Sequence, residues 1–365
     1  MKVLALPRYE RLGASSRVRM YQYMPYLKRH GIEVESAPFL SDDYVTGLYS
    51  GQGRGTGAIL DAYRRRLRAL RMISSFDLIW IEKEAVPWMP AWAERRIERL
   101  RVPYIVDYDD ATFHNYDGHR YGFVRAALGR KIDEVMRRAT IVVAGNDYLA
   151  ARASQAVARR IEIVPTVVDL DHYPIVPPPD NAIFTIGWIG TPVTAPYLRV
   201  VEHAMAAVCR GRRARFTAVG SGPLEMPGVA VEVRPWSEQT EAADMLGIDA
   251  GIMPLPDASW ERGKCGYKLI QYMACAKPVV ASPVGVNCQI VDHGIDGFLA
   301  STPEEWERAL VTIRDNVAIR TQMGRAARDK VEKTYSLQVT APRMLGLFRD
   351  AVRQEASYFD GASQD

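Results

Sequence analysis

The sequence predicts an α/β protein built from two doubly wound domains with parallel sheets. A β-α-β unit opens the chain, with an apolar strand at 2–6, helically spaced apolar residues at 18–27 and a second strand from Ile32. Strands joined by crossover helices form parallel sheets, so this unit favours a doubly wound fold. Short apolar runs of the same kind recur in both halves of the chain, at 77–81, 104–107, 140–144, 184–190, 215–220, 229–233 and 251–253.

Length and a proline-rich break set the domain organisation. At 365 residues the chain can form two domains, each burying its own core. The segment Val176-Pro-Pro-Pro-Asp180 is typical of a linker, because prolines interrupt helices and sheets. We therefore expect one domain over 1–175 and a second over 176–336, with a helix and a polar tail over 337–365.

Composition indicates a protein of the cytoplasm. The hydrophobic fraction is 48% and the charged fraction 25%, as in globular domains. No apolar run approaches the ~20 residues that span a bilayer, and the apolar start is too short for a secretory signal. The four cysteines show no zinc spacing and no C-x-x-C pair, so free thiols are expected at Cys209, Cys265, Cys275 and Cys288.

The positive charge of the chain is concentrated in its first half. The net charge is only +4, too small to indicate nucleic acid, but residues 1–175 hold 27 Lys and Arg against 21 Asp and Glu. Two basic stretches, at 64–71 and 88–99, carry apolar residues at helical spacing. They indicate either a solvated helix face or docking on an anionic membrane that carries a lipid-linked acceptor. In the second case the protein works at the inner face of the membrane.

The stretch 249–299 has the pattern of an anion-binding unit. A short apolar strand stops at Pro254, a loop with Gly263, Lys264 and Gly266 follows, and a helix starts near Tyr267 and ends at Lys277-Pro278. A second strand at 279–281 leads to a second glycine loop. Backbone amides at the start of such a helix bind anions, and Lys264 and Lys268 add positive charge. We expect a phosphate-bearing ligand; the alternative is an ordinary crossover unit with solvated lysines.

Two common nucleotide motifs are absent. Gly220-Ser-Gly222 is followed by Glu225 where a dinucleotide fingerprint needs glycine. Gly263-Lys264 lacks the glycine and the hydroxyl residue of a phosphate-binding P-loop. A dehydrogenase or P-loop ATPase is therefore not expected.

The order of the pieces in this stretch resembles the donor site of the GT-B glycosyltransferases of family 4. The matching pieces are Gly266, MACAKPVVAS at 273–282, Gly285 and GIDGFL at 294–299. Weaker likeness extends over essentially the whole chain, for example at 139–149, 163–169 and 216–223. The resemblance implies two Rossmann-like domains facing across a cleft, with the nucleotide-sugar donor on the second. It also implies that the last helix, at about 337–354, crosses back to the first domain.

The resemblance assigns residues to the donor and acceptor sides. On the donor side it implies contacts from Lys264, Gly266, Tyr267 and Lys268, with Gln271 at the ribose. Gly190 and Thr191 occupy the place where the family has an Arg and Lys clamp on the diphosphate. Near the start of the chain, the family's diphosphate and acceptor loop corresponds to Gly13, Ala14, Ser15, Ser16 and Arg17.

The chain departs from the family in its charged donor-side residues. The family's two glutamates, eight positions apart, fall here on Gly263 and Gln271. Gly263 has no side chain to replace the first, and Gln271 offers a ribose hydroxyl hydrogen bonds without charge. We expect the two lysines to compensate for these losses.

An acidic loop follows the strand at 104–107 and supplies the expected acceptor-side residues. Asp109 is the best match to a family histidine that faces the transferred sugar, and Asp110 is its neighbour. Close carboxylates raise one another's pKa, which suits a group that positions or takes the acceptor proton. Glu82, Glu84, His114 and His119 are weaker candidates. The alternative for Asp109 is a helix cap.

The resemblance implies transfer of a sugar from a UDP or GDP sugar to a hydroxyl of a saccharide or lipid-linked acceptor, with retention at the anomeric carbon. It implies a role in cell-envelope polysaccharide synthesis and no bound metal or other cofactor. Two alternatives stay open: a nucleotide-sugar-binding scaffold, suggested by the missing glutamates, and an NDP-sugar epimerase of the same fold.

Overall fold

A computed structural model describes residues 1–49, 56–176 and 183–361. The chain forms two compact units, which we call the first and second units. The first comprises Met1–Thr166 together with the chain from Thr340 onward, and the second comprises Val167–Val339. Most of the predicted linker, at 177–180, lies outside the described residues.

The first unit is built on a six-stranded parallel sheet with the order β2-β1-β3-β4-β5-β6. The strands are short, and the central ones, β3, β4 and β5, are buried along their whole length, as expected for a sheet covered on both faces. The strands are β1 Lys2–Leu6, β2 Glu33–Ser36, β3 Leu78–Glu82, β4 Tyr104–Tyr108, β5 Ile141–Ala144 and β6 Ile161–Ile163. The helices are α1 Ala14–Arg19, α2 Met24–Arg29, α3 Asp42–Tyr49, α4 Thr56–Arg71, α5 Trp92–Arg99, α6 His114–Asp117, α7 Gly122–Leu128, α8 Lys131–Arg138 and α9 Asp147–Gln155.

The second unit repeats this architecture with the strand order β12-β11-β10-β7-β8-β9, again all parallel. Its strands are β7 Phe184–Ile189, β8 Ala214–Val219, β9 Val231–Arg234, β10 Ala250–Met253, β11 Val279–Ala281 and β12 Gly297–Leu299. Its helices are α10 Glu202–Val208, α11 Glu241–Leu246, α12 Ser259–Arg262, α13 Tyr267–Ala274, α14 Asn287–Ile290, α15 Pro303–Asp315 and α16 Val317–Thr334, and α17 Leu337–Gly361 follows. Short 3-10 turns occupy Tyr21–Tyr23, Ile73–Ser75, Leu170–His172, Ala195–Val201 and Arg210–Arg212.

Helix α17 starts in the second unit and completes the core of the first. The ring of Phe348 is fully buried and meets Trp80 of β3 edge to face, with ring centroids 5.0 Å apart. Near the start of α17, the hydroxyls of Thr340 and Tyr23 lie 3.1 Å apart. The first unit therefore takes its core from both ends of the chain.

Two predicted helix boundaries were wrong. The helix predicted over 18–27 is broken into α1, a 3-10 turn and α2. Helix α13 ends at Ala274, before Lys277-Pro278, because Ala276 adopts a left-handed conformation and the Ala276 and Lys277 amides close the helix onto the carbonyls of Met273 and Tyr272.

Two other features bear on the expected class of protein. The four cysteines are free, as predicted. Across the described ranges, none of the helices combines the length and the apolar character needed to cross a bilayer.

Candidate functional site

In the second unit, the loops after β7 and β10 flank the point where the strand order reverses. These two strands are neighbours in the centre of the sheet, and the chain continues to opposite edges from them. In doubly wound sheets, ligands bind at the carboxyl ends of the strands at such a point. Gly190 and Thr191 directly follow β7, and the loop after β10 leads to α12 and α13. The fold thus places the loops that carry the predicted donor residues at the carboxyl ends of neighbouring strands.

Gly266 forms the tight start of α13. Its φ is +66°, a left-handed conformation, and a Cβ built on it would lie 2.2 Å from Ile290 Cδ1. Only glycine fits here. The first amides of a helix have no acceptor within the helix itself, so α13 presents Gly266, Tyr267 and Lys268 as its anion-attracting end. The helix is fixed to the sheet by Tyr272, whose hydroxyl accepts from the Ile189 amide at 2.9 Å.

The ring of Trp188 lies close to both the Lys268 ammonium group and the Gly190 backbone. The Lys268 ammonium lies 5.2 Å from the centroid of the Trp188 ring, a cation–π distance. The edge of the same ring lies 2.3 Å from a Cβ built on Gly190, so a side chain there would displace it. Lys264 has a similar contact with Trp260 at 5.8 Å. Both lysines are half-buried beside the start of α13.

Thr191 begins a hydrogen-bonded turn and does not replace the charged residues that clamp the diphosphate in the family. Its amide donates to Thr194 Oγ1 at 3.1 Å, and its carbonyl accepts from the amides of Thr194 and Ala195. The turn fixes the backbone after β7 and supplies no positive charge.

The predicted ribose contact of Gln271 is not supported by the position of its side chain. The residue is 2% exposed, and its Nε2 donates to the Tyr173 hydroxyl at 3.2 Å. That hydroxyl donates in turn to Glu241, which also accepts from Trp236 Nε1. The side-chain amide of Gln271 is therefore hydrogen-bonded within a buried network of the second unit.

Two polar residues beside the donor loops were missed by the sequence analysis. Glu261 of α12 is mostly buried and accepts from the Tyr197 hydroxyl at 2.5 Å, which links the segment after β7 to the segment after β10. Asn287 is fully buried; its amide nitrogen donates to the Ser282 carbonyl, while its Oδ1 has no hydrogen-bond partner among the described residues. That oxygen lies 3.7 Å from a Cβ built on Gly266.

In the first unit, Glu82 holds the start of α1. The loop predicted at 13–17 is helical from Ala14 onward, with Gly13 just before the helix. At the end of β3, the Glu82 carboxylate accepts from Ser16 Oγ at 2.5 Å and from the Arg8 amide at 2.7 Å, and Ser15 Oγ lies 2.6 Å from its other oxygen. Gly13 is required because a Cβ would lie 2.2 Å from Tyr9 Cβ. Ala14 is exposed at the first position of α1.

Arg17 of α1 does not project into solvent. It is buried, and its guanidinium donates to the Arg11 carbonyl at 3.4 Å. The predicted diphosphate contact by this side chain is therefore not supported by its position.

Lys83 occupies a strained turn and pairs with both candidate aspartates. Its φ is +66°, and the Glu84 amide donates to the Glu82 carbonyl at 2.7 Å, which makes Lys83 the centre of a rare, strained γ-turn. Its ammonium lies 2.9 Å from Asp109 and 3.3 Å from Asp110. Such strain persists only where the surrounding structure imposes it, and it clusters at functional sites.

This pairing corrects the predicted pKa of Asp109. Burial alone would raise the pKa of Asp109, but the Lys83 ammonium and hydrogen bonds from Ser15 and Lys83 hold it below its ordinary value. The carboxylate therefore stays ionised and accepts hydrogen bonds. The raised value belongs to Asp107: burial brings the pKa of Asp107 to about 6, although the Arg19 guanidinium at 2.7 Å opposes the shift.

The remaining acidic and histidine candidates have structural partners. Glu84 accepts from Arg8, Tyr116 and Lys131. His114 is bonded to Asp117 and to the Tyr148 hydroxyl. Over the parts of the chain that the structure describes, no three His, Cys, Asp or Glu side chains are arranged to hold a metal ion.

Part of the second unit is similar to a family of glycosyltransferases. Residues 183–316 match the family described as Glycosyl transferases group 1, and these residues carry β7 to β12 and the loops described above. The match confirms the resemblance that the donor stretch suggested.

Two curated relatives are D-inositol 3-phosphate glycosyltransferases. The one from Paenarthrobacter aurescens is 31% identical over 128 residues, which cover 34% of this chain and 28% of the relative. The one from Kineococcus radiotolerans is 29% identical over 213 residues, which cover 50% of this chain and 47% of the relative. The matched stretches thus span less than half of either relative.

Solved structures confirm the predicted GT-B fold. Sucrose-phosphate synthase from Thermosynechococcus elongatus aligns over 96% of this chain and 98% of its own, with a TM-score of 0.71 and 13% identity. The Anabaena protein HepE, in complex with UDP-glucose, aligns over 96% and 100% of the two chains, with a TM-score of 0.68 and 16% identity.

Proposed function

We propose that the protein is a glycosyltransferase that moves a sugar from a nucleoside diphosphate sugar to a hydroxyl of a saccharide or lipid-linked acceptor. The observation that carries this proposal is the start of α13 at the switch point of the second sheet, with Lys264 and Lys268 beside it. It supports binding of a diphosphate there, because helix amides and ammonium groups both favour phosphate oxygens. The group 1 match over the same residues supports the sugar as the other part of the ligand.

The leaving diphosphate is the part of the reaction that the second unit serves. Negative charge grows on the bridging oxygen as the glycosidic bond breaks, and fixed dipoles and cations stabilise it. We assign this role to the Lys264 and Lys268 ammonium groups and to the amides of Gly266, Tyr267 and Lys268. They take the place of the missing Arg and Lys clamp at Gly190 and Thr191. No bound metal is required in this scheme.

On the acceptor side we propose that Asp109 orients a hydroxyl as an ionised carboxylate. Its lowered pKa makes it a hydrogen-bond acceptor and a poor proton store at neutral pH. The proton of the acceptor hydroxyl then passes to the departing phosphate, on the same face as the new bond, which gives retention at the anomeric carbon. The place of this reaction in cell-envelope polysaccharide synthesis is part of the same proposal.

A second candidate is a nucleotide-sugar-binding scaffold. It is favoured by two observations: Gly263 carries no carboxylate, and Gln271 is occupied inside the unit. Both positions bear glutamates in the family that the donor stretch resembles, so binding without turnover would follow if nothing replaced them.

The first test is thermal unfolding with UDP, GDP and the other nucleoside diphosphates. A ligand at ~100 times its dissociation constant adds about 2.7 kcal/mol to the stability. We expect one diphosphate to stabilise the wild type and to lose its effect in Lys264→Ala/Lys268→Ala. The control is Lys333→Ala, an exposed lysine of α16 that should keep the full shift.

Turnover separates the two candidates. The transferase releases the matching diphosphate from its sugar donor, slowly to water and faster with acceptor, and the first anomer released keeps the donor configuration in proton NMR. Binding without any release supports the scaffold. The absence of a shift with every diphosphate contradicts both candidates.

A further inference from the structure

The first unit exposes a row of aromatic rings beside the carboxyl ends of its strands. The aromatic row consists of Tyr116, Trp88, His119, Tyr121 and Phe123. Tyr116 is buried, whereas Trp88 is 45%, Tyr121 47% and Phe123 72% exposed. Large apolar side chains of soluble proteins seldom gather in this way unless they bind something.

The rings contact one another in sequence, which makes the row a continuous surface. Ring centroids are 5.1 Å apart from Tyr116 to Trp88, 5.7 Å from Trp88 to His119 and 5.5 Å from His119 to Tyr121. Tyr121 and Phe123 are stacked at 5.7 Å with an interplanar angle of 16°. Met89, 42% exposed, follows Trp88 in the chain and adds apolar surface.

The charges around the row are positive. From Gly118 to Ile132 the sequence has four cationic residues and no Asp or Glu. Lys131 is buried against Glu84, so Arg120, Arg125 and Arg130 supply the exposed charge. The Arg120 guanidinium lies 4.5 Å from the Tyr121 ring centroid, directly on the row. The preceding acid, Asp117, is paired with Arg152 at 3.0 Å.

We propose that the aromatic row is the surface by which the first unit binds an anionic lipid bilayer. Tryptophan and tyrosine rings settle at the level of lipid headgroups, and nearby arginines are attracted to anionic lipids. The same rings could stack on sugars, but sugar hydroxyls also need hydrogen-bond acceptors, and the segment from Gly118 to Ile132 has no carboxylate. The exposed phenyl group of Phe123 and the thioether of Met89 favour lipid further.

The position of the row links it to the reaction. The Tyr116 hydroxyl donates to Glu84 at 2.7 Å, and Glu84 lies two residues after β3 at the edge that carries Lys83 and Asp109. A bilayer on the row would therefore lie close to the acceptor-side residues of the first unit. This part rests on the proposed function, and it favours a lipid-linked acceptor over a free saccharide.

The test is sedimentation of the intact protein with vesicles of phosphatidylcholine alone or in equal parts with phosphatidylglycerol. We expect binding to the anionic vesicles, weakened by salt, which screens the arginines. Phe123→Ser/Tyr121→Ser should lower the partition constant about tenfold, because exposed rings contribute by burial in the interface. Arg120→Ser/Arg125→Ser should lower it about 25-fold, at about fivefold per charge.

The matched control is Leu60→Ser/Met72→Ser. Both residues are exposed, and they lie within and just after α4, the helix that contains the basic stretch at 64–71. This variant should bind vesicles as the wild type does. Loss of binding in it, with none in the row variants, would overturn the proposal in favour of α4.

Two further results would also overturn it: no binding of the wild type to anionic vesicles, or binding by the row variants equal to that of the wild type. Sedimentation needs no donor, so its failure is distinct from failure of the nucleotide and turnover assays above.

Discussion

The Lys83 ammonium lies 2.9 Å from the Asp109 carboxylate, although the two residues follow different strands of the sheet. Lys83 reaches it from a left-handed turn after β3, and Asp109 follows β4. The side chains of Lys83 and Asp109 are 10% and 11% exposed, so the pair is largely removed from solvent. Because the pair is buried, removing either partner would leave the other as an uncompensated buried charge, which lowers the stability strongly.

Lys83→Met should destabilise the first unit by about 3 kcal/mol at neutral pH. Asp109 has a lowered pKa in the native state, so its pairing adds stability above the ordinary pKa of Asp, about 4, and the contribution is lost as the pH falls through the native value. The loss in Lys83→Met is therefore full at neutral pH and shrinks in acid. Urea unfolding across this pH range measures it.

The control for this variant is Arg65→Met. Arg65 pairs with Asp61 on the exposed face of α4, where ion pairs contribute roughly 0.5 kcal/mol or less. Equal losses in the two variants, or a loss in Lys83→Met that does not depend on pH, would contradict the role given to the buried pair.

Glu82→Gln should loosen the start of α1. One carboxylate oxygen becomes an NH2 group, which donates instead of accepting, so the hydrogen bonds from Arg8, Ser15 and Ser16 can no longer all be kept in their present form, at a cost of about 1–3 kcal/mol. Hydrogen exchange should rise at the amides of the first turn of α1. Glu33→Gln, at an exposed position of β2, should leave exchange and stability unchanged.

Gly266→Ala should damage the donor loop more than Gly294→Ala. Both glycines have positive φ, which costs alanine about 1 kcal/mol, but only at Gly266 would the new Cβ also meet a side chain, at 2.2 Å. We expect Gly266→Ala to lose the diphosphate-induced thermal shift and Gly294→Ala to keep it. The same shift in both variants would show that the start of α13 is not where the diphosphate binds.

The two sheets and the donor edge could be predicted because their signals are local. Short apolar strands, glycine loops and the start of a helix at Gly266 can each be recognised from a run of consecutive residues. The partners of the charged and polar side chains cannot, because they lie far away in the sequence. Gln271 is hydrogen-bonded to Tyr173, which is 98 positions away in the sequence. Asp109 pairs with Lys83, whose left-handed turn is not indicated by any sequence pattern. The expected raised pKa of Asp109 was therefore wrong, and the position of Gln271 does not support the expected ribose contact.

Phe348→Ala should destabilise the first unit by about 3–5 kcal/mol, because a buried aromatic ring leaves a large cavity beside Trp80. Val339→Ala, at an exposed position earlier in the same helix, should cost no more than ~0.5 kcal/mol. Near-ultraviolet circular dichroism during urea unfolding reports the loss of tryptophan packing. Similar midpoints for the two variants would contradict the role of α17 in this core.

The contribution of α17 to the first unit also bears on how the protein is made. Domains usually fold in the order in which they leave the ribosome, the N-terminal one first. Here Trp80 is synthesised 268 residues before Phe348, whose ring packs against it. The second unit, with all its strands between Val167 and Val339, can complete its sheet during translation. The core of the first unit stays incomplete until Phe348 has been synthesised, so we expect nascent chains to depend on chaperones up to that point.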